Sequence, residues 1–412
     1  MAIASDSEYG PIRTELDVEK LCAYIENKVK GFKLERTVYQ FSFGQSNPTY
    51  LLHGNNKKQY VVRTRPPGPL ISKTAHAIDR EYRIIEALGK EGSVPVPKVY
   101  HLCLDDEVIG RPWYLMEYLK GRKYEDSRMP EVATKEERTQ LWLAAIKTLA
   151  ALHALDPQKI GLGDYGSTAA FYPRQIRSLS KLSAAQAAVV NPKTEEAVGP
   201  IPHIDFLLEW YGRNLPGTEA NTAGGNEIKT GGRTLEARIV HGDFKIDNMI
   251  FHPTEARVIG VLDWELSTLG HPFSDLANLL QPHYVPGNMG VGYLAGLRDT
   301  PPSGRPIPPP SLLLPAWCSH LGLDYVECMG GDPDASNAKS QVALRGRRAW
   351  EGCVSFAFFR LAVITQGIAA RVAQGNASSA KAAQQAKIMP IMGNLATNHI
   401  REYAEVGAQT KL

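Results

Sequence analysis

The chain is poor in features that would announce a specialised class. Its five cysteines, Cys22, Cys103, Cys318, Cys328 and Cys353, are scattered through 412 residues; none forms a C-x-x-C pair or joins a Cys/His cluster. Neither a disulfide framework nor a zinc module is expected, and the thiols read as reduced, in an intracellular, cytoplasmic protein. Met1 to Gly10 carries Asp6 and Glu8 where a signal peptide would place basic and then apolar residues. A membrane span needs ~20 nearly uncharged residues. The most apolar stretch, Cys353 to Ala370, is interrupted by Arg360 and Gln366 and reads as a buried helix. An excess of one charge is missing too: 46 basic against 43 acidic side chains leave a net +3. Neither nucleic acid nor a membrane is therefore expected as a partner.

What is present is globular. Hydrophobic residues make up 43% and charged residues 22% of the chain, enough apolar material for a sizeable core. The length is generous for one compact core, so two lobes are expected.

Residues 1–30 form an N-terminal helical segment. Thr14 and Asp17 have capping-box spacing, and Val18, Leu21, Cys22, Ile25 and Val29 share one face. Residues 31–120 read as a small antiparallel sheet: β-type runs cover Arg36 to Phe43, Thr49 to His53, Gln59 to Arg65, Pro97 to Cys103 and Pro112 to Leu119. One helical pattern, Thr74 to Leu88, interrupts them. Residues 121–412 are mainly helical, beginning with Glu136 to Leu155 and its stripe of Leu141, Trp142, Ala145, Ile146, Leu149 and Leu152. A short hairpin, Asn248 to Phe251 and Arg257 to Trp264, breaks that texture. Gly217 to Arg233 and Asp299 to Pro310 read as surface loops.

The chemistry concentrates in His241-Gly242-Asp243-Phe244-Lys245-Ile246-Asp247-Asn248 and in Val261-Leu262-Asp263-Trp264-Glu265. An Asp, four residues, an Asn, and then an Asp ending a nearby strand is the arrangement of kinase-fold phosphotransferases. The hairpin brings Asn248 opposite Asp263 at one mouth, where two oxygen ligands can form part of a magnesium shell completed by ATP phosphates and water. Asp243 is then free to accept a proton from an attacking hydroxyl, and Lys245 can approach the transferring phosphate.

Upstream, Gly44, Gln45, Ser46 and Asn47 lie between two β-type runs, where a phosphate-covering loop would use Gly44 for close backbone approach. Glu81 shares a face with Ile84, Ile85 and Leu88. A carboxylate aimed at apolar surroundings requires a cation, and Arg63 is the candidate, in a strand position that kinase folds usually give to lysine. Trp113 to Gly121 is the candidate hinge, with backbone groups near Glu117 and Leu119 meeting adenine. His153, on the apolar helical stripe, reads as a packed core histidine.

These motifs resemble the aminoglycoside phosphotransferase and choline kinase-like superfamily, with added matches at Gly270-His271-Pro272 and Asp275-Leu276-Ala277. More closely, the chain is similar to the kinase-like domain attached to certain acyl-CoA dehydrogenase family members. That likeness is carried by Gly44 to Leu51, Arg65-Pro66-Pro67-Gly68, Arg80-Glu81-Tyr82-Arg83 and the segment from Phe359-Arg360-Leu361-Ala362 to Gln366-Gly367-Ile368. It spans about residues 15 to 380. The resemblance implies an α+β, bilobal protein-kinase-like fold with the nucleotide between the lobes. It also implies Asp243 as catalytic base, Asn248 and Asp263 as magnesium ligands, and Asp275 as a brace of the catalytic loop. No dehydrogenase domain is expected within these residues.

The implied reaction is ATP- and magnesium-dependent transfer of the γ-phosphate to a hydroxylated small molecule. Residues 301–412 hold 11 Lys/Arg against 7 Asp/Glu, a mild basic bias that leans away from polycationic acceptors. With the closer resemblance, it leans toward a hydroxyacyl compound or its CoA ester. An aminoglycoside or secondary-metabolite kinase and a non-catalytic nucleotide-binding protein are the alternatives. The terminal Thr410-Lys411-Leu412 is one residue away from a peroxisomal Ser-Lys-Leu address.

Overall fold

The computed structural model describes residues 9–42, 47–55, 57–67, 77–218, 229–230, 233–235, 237–287, 296–331, 340–376 and 382–404. Gly44, Gln45 and Ser46 of the expected phosphate loop, and the C-terminal Thr410-Lys411-Leu412, lie outside the described residues. The chain divides into two compact units. The first comprises Met1–Lys123, Gln158–Leu162 and Asn248–Ser267; the second comprises Tyr124–Pro157, Gly163–Asp247 and Thr268–Leu412. The hairpin, which by chain position belongs with the helical part, thus joins the first unit.

The first unit is built on a six-stranded sheet of β1 (Tyr9–Gly10), β2 (Leu34–Phe41), β3 (Thr49–Gly54), β4 (Gln59–Thr64), β5 (Val99–Cys103) and β6 (Trp113–Glu117). Its spatial order is β1-β2-β3-β4-β6-β5, with every neighbouring pair antiparallel. Side chains alternate between its faces. Tyr50, Leu52, Tyr60, Val62, Trp113 and Leu115 point to one face and close over Leu21, Cys22 and Ile25 of helix α1 (Val18–Lys28). The same alternation sends Arg63 and Tyr114, directly opposite each other across β4 and β6, to the other face, and helix α2 (Ile78–Glu91) contacts β6.

Helix α1 starts later than the spacing of Thr14 suggests. Its cap is Asp17, whose carboxylate accepts from the Lys20 amide. Thr14 is instead held to the sheet, since the Arg13 and Thr14 amides both donate to Gln40 Oε1, and Tyr50 Oη donates to the Thr14 carbonyl. Three tertiary bonds at this segment outweigh one local cap. A short helix, α3 (Asp106–Ile109), precedes β6.

The second unit is mainly helical. It contains α4 (Lys135–Ala154), α5 (Phe171–Ala187), α6 (Ile204–Asn214), α7 (Phe273–Leu280), α8 (Pro310–Leu321), α9 (Tyr325–Met329), α10 (Gln341–Ala373), α11 (Ala382–Ala386) and α12 (Ile388–His399). The expected α4 stripe is buried throughout, and Thr134 caps this helix by accepting from the Glu137 amide. The apolar stretch after Cys353 lies within α10, which packs against α5, α6, α7, α9 and α12. By length and composition α10 could cross a membrane, and 67% of its most apolar window is buried inside the protein.

Within Gly217 to Arg233, expected as loop, β7 (Lys229–Thr230) pairs with β8 (Arg233–Thr234). Likewise, Asp299 to Pro310 contains a 3₁₀ turn at Pro302–Gly304, and Pro310 opens α8. Strand β9 (Arg238–Val240) pairs with a strand at Thr268–Gly270 and leads directly into His241-Gly242-Asp243.

Candidate functional site

In the first unit the expected Arg63–Glu81 pair forms, within a larger cluster. Arg63 Nε lies 3.0 Å from Glu81 Oε2, Nη2 lies 2.6 Å from Asp263 Oδ1, and Nη2 lies 3.5 Å from Glu265 Oε2. One guanidinium therefore faces three carboxylates. Glu81 is 1% exposed, and burial pushes its carboxyl up to about 7 although Arg63 pulls the other way; Asp263 and Glu265 add to the upward push. Burial disfavours charge on Arg63 as well, yet its three acidic neighbours hold the guanidinium well above its ordinary value. Tyr114, its cross-strand neighbour, is buried, and burial together with the Glu81 charge raises its phenol well above the ordinary range.

Two carboxylates of this cluster come from a single turn after the hairpin of β10 (Met249–Phe251) and β11 (Val258–Val261). Met249 pairs with Val261, and the Leu262 amide donates to the Asn248 carbonyl at 2.9 Å, so the hairpin mouth holds Asn248 beside the strand that leads to Asp263. The second strand ends earlier than the sequence suggests. Asp263 adopts φ 67°, a left-handed backbone that aspartate tolerates better than bulky or β-branched residues, and a 3₁₀ turn, Trp264–Leu266, follows. Trp264 is fully buried and donates to the Val261 carbonyl, and the Ser267 amide closes the turn on the Trp264 carbonyl. The buried indole fixes the turn from which Asp263 and Glu265 reach Arg63.

The hairpin is fastened to the segment after β6. Arg122 and Phe251 exchange two backbone bonds of 2.8 Å, and Arg122 Nε donates to the His252 carbonyl. A Cβ on Gly121 would lie 2.3 Å from the Phe251 carbonyl oxygen, so only glycine permits this approach. Leu119 packs over Gly260. The Glu117 amide donates to the Lys98 carbonyl at 2.8 Å. Asn47, expected to donate to phosphate, is 1% exposed and its Nδ2 donates to Glu265 Oε2 at 3.0 Å.

In the second unit the catalytic-loop backbone is held by side chains. The His241 and Gly242 amides donate to Asp275 Oδ2 and Oδ1 at 2.6 and 2.8 Å, the brace that the resemblance implied. The Asp243 amide donates to His241 Nδ1 at 3.2 Å. Asn278, three residues after Asp275 and so on the same face of α7, donates to the Phe244 carbonyl and approaches Asp243 Oδ1 at 3.5 Å. Lys245 Nζ lies 3.4 Å from Asp243 Oδ2 and 3.2 Å from Asp247 Oδ2. Burial raises the Asp247 carboxyl despite the Lys245 charge. Lys245 and Asp247 also line a small recess, together with Glu125, Ile246, Asn278 and Leu279.

Asp275 is completely buried. Burial alone would raise its carboxyl, but hydrogen bonds from His153 and the His241 amide offset this and hold it below the usual range. His153 is a buried core residue, as expected, but it also has a role in this network. Trp317 Nε1 donates to its Nδ1 at 3.2 Å, so its proton must sit on Nε2, 3.5 Å from Asp275 Oδ2. Burial lowers its pKa, so the ring is neutral.

Sequence reasoning missed Glu265, Tyr114, Trp317 and the contact of Arg360 with the loop described below. For Glu265 a signal was available: Asp263 and Glu265 flank an indole, and burying the indole leaves the two flanking carboxylates at the edge of the same turn.

An antiparallel sheet carrying a helix with a buried Arg–Glu pair, a mainly helical second unit and an Asp-x₄-Asn loop leading into a short hairpin together define a kinase-like phosphotransferase fold. The chain belongs to the phosphotransferase enzyme family, whose model matches residues 37–307. Among solved structures, it is similar to a Ralstonia eutropha protein of the aminoglycoside phosphotransferase type, at 33% identity and TM-score 0.72, covering 94% of this chain and 99% of that one. The fold is shared with the Plasmodium vivax ethanolamine kinase, at 14% identity and TM-score 0.52 over 88% of this chain and 80% of that one. Among curated proteins, the probable acyl-CoA dehydrogenase IBR3 of Arabidopsis thaliana is 35% identical over 89% of this chain and 40% of its own length. Mouse acyl-CoA dehydrogenase family member 11 is 35% identical over 92% of this chain and 42% of its own length. The chain thus spans about two fifths of these curated relatives.

Proposed function

We propose that the protein is an ATP- and magnesium-dependent phosphotransferase that moves the γ-phosphoryl group to a hydroxyl of a small molecule. The acceptor we favour is a hydroxyacyl compound or its CoA ester. The observation that carries the reading is Asp243 itself, a carboxylate on a loop whose backbone amides are fixed by Asp275, five residues before Asn248 and the hairpin that leads to Asp263. The acyl-CoA dehydrogenase names of the curated relatives and the basic bias of residues 301–412 support the acceptor class.

The donor set fits magnesium. Asp263 and Asn248 offer hard oxygens from the first unit, a partial shell of the kind that phosphates and water complete. Among the described residues no group of three or more His, Cys, Asp or Glu side chains gathers to hold a metal with protein ligands alone. When bound, magnesium would neutralise charge on the nucleotide phosphates. Arg63 keeps Asp263 and Glu265 in place and Glu81 compensated. Asp243 takes the proton of the acceptor hydroxyl as that oxygen bonds to the γ-phosphorus and the bond to departing ADP breaks. Lys245, between two carboxylates, orients Asp243.

The deciding experiment follows labelled γ-phosphate from ATP to hydroxyacyl-CoAs, amino alcohols, sugars and aminoglycosides, with and without magnesium. Magnesium-dependent labelling of a hydroxyacyl-CoA is expected, and Asp243→Asn should lower it by roughly 10³-fold while nucleotide binding survives. The reading is abandoned if no acceptor is labelled and ATP with magnesium leaves the melting curve unmoved.

A further inference from the structure

Gly242 and Asp243 share one peptide plane, and both of its polar atoms are held. On one side the Asp243 amide donates to His241 Nδ1 at 3.2 Å. On the other the Gly242 carbonyl accepts from Arg360 Nη2 at 2.5 Å, across 118 residues of chain. A peptide is planar, so fixing its oxygen and its N–H fixes the plane and with it the position of the Asp243 Cα from which the side chain departs. Gly242 makes this arrangement possible: its φ of 85° is a conformation that residues with a Cβ rarely adopt. Arg360 projects from α10, a helix of 33 residues, where Phe356, Phe359 and Val363 around it are buried, so its stem starts from a rigid base. A guanidinium donating to a carbonyl makes a charge-assisted bond, stronger than a neutral one.

We propose that Arg360 is a positioning residue for Asp243: by holding the Gly242 carbonyl it orients the peptide from which the catalytic carboxylate hangs. The proposal rests on the phosphotransferase reading for the role of Asp243, whereas the hold on the loop is independent of it. Asp275 anchors the loop through the two preceding amides, so removing Arg360 frees the 242–243 peptide without releasing the whole loop.

The test compares the full-length wild type with Arg360→Met, which keeps an apolar stem, and Arg360→Lys, which keeps a cationic donor. Amide hydrogen exchange of the Gly242–Phe244 segment should accelerate roughly tenfold or more in the methionine variant and recover most of the way in the lysine variant, with the α5 and α6 segments unchanged. Binding of a fluorescent ATP analogue with magnesium should stay within about twofold. ATP turnover should fall about tenfold or more in the methionine variant and be restored in part by lysine. Unchanged exchange in Arg360→Met, or equal effects of methionine and lysine, overturns the proposal. A wild type that consumes no ATP with any acceptor sinks the phosphotransferase reading instead, and the exchange data still decide whether Arg360 orders the loop.

Discussion

In the first unit a single guanidinium, Arg63, meets three carboxylates, two of them carried on one turn. In the second, a single carboxylate, Asp275, meets two backbone amides and a neutral histidine. Both arrangements bury charge, but they settle it differently. The first compensates charge with charge and remains short of positive partners, so burial and excess acid push Glu81 up to about 7. The second disperses one charge over oriented dipoles, and Asp275 stays below the usual carboxylate range. A cluster of like charges around one cation is poised to respond to pH. A carboxylate set in amides stays ionised through the neutral range and serves to fix a backbone.

The sharpest way to break this contrast is Asp275→Ala, which strands two amides, that of His241 buried and that of Gly242 partly so. A loss of about 2–6 kcal/mol is expected, read from urea unfolding of the full chain. A loss below 1 kcal/mol would mean that the amides find other partners and that the loop is not set by this carboxylate.

Next comes the pH response of Glu81. Its folded pKa, about 7, lies above its ordinary value of 4.5, so the folded state favours the protonated form. The stability that this contributes is complete below about pH 4.5 and is lost as pH rises through about 7, on the order of 3 kcal/mol in all. Unfolding measured from pH 4.5 to 8 should therefore show a slope in the wild type that Glu81→Gln flattens; an identical slope in both chains would remove the charge cluster from the account.

Gly121→Ala tests whether the hairpin is part of the first unit's packing, because its Cβ would press on the Phe251 carbonyl and Ile250. About 1–3 kcal/mol should be lost. The smallest effects sharpen the comparison by matching it: Asp17→Ala and Thr134→Ala each remove one helix cap, one per unit, and should cost about 1 kcal/mol apiece in chemical denaturation. Unequal costs would show that local terms, too, differ between the units.

Much of this was legible in the sequence wherever one element carries the information. The alternation along Tyr60-Val61-Val62-Arg63 assigns faces, and Glu81 on an apolar helix stripe requires a buried cation. The spacing of Asp243, Asn248 and Asp263 follows from a loop and a hairpin that are continuous in the chain. Contacts between distant segments left no such mark. Arg360 reaches Gly242 from another helix, Trp317 reaches His153 across 164 residues, and Asn47 reaches Glu265 across 218. Nothing in local periodicity names such partners. Thr14 shows the converse failure: a valid local cap signal yields to tertiary bonds with Gln40 and Tyr50.

Because residues 248–267 complete the first unit, that unit cannot finish folding when its first 123 residues leave the ribosome. Synthesis must proceed through 124 residues of other material, assigned almost wholly to the second unit, before the hairpin that clasps Gly121 and delivers Asp263 to Arg63 exists. Until then Arg63 lacks Asp263 and Glu265, and the Arg122 backbone lacks Phe251. Attachment of the hairpin to this unit is therefore a late, long-range event, the kind of contact that forms slowly.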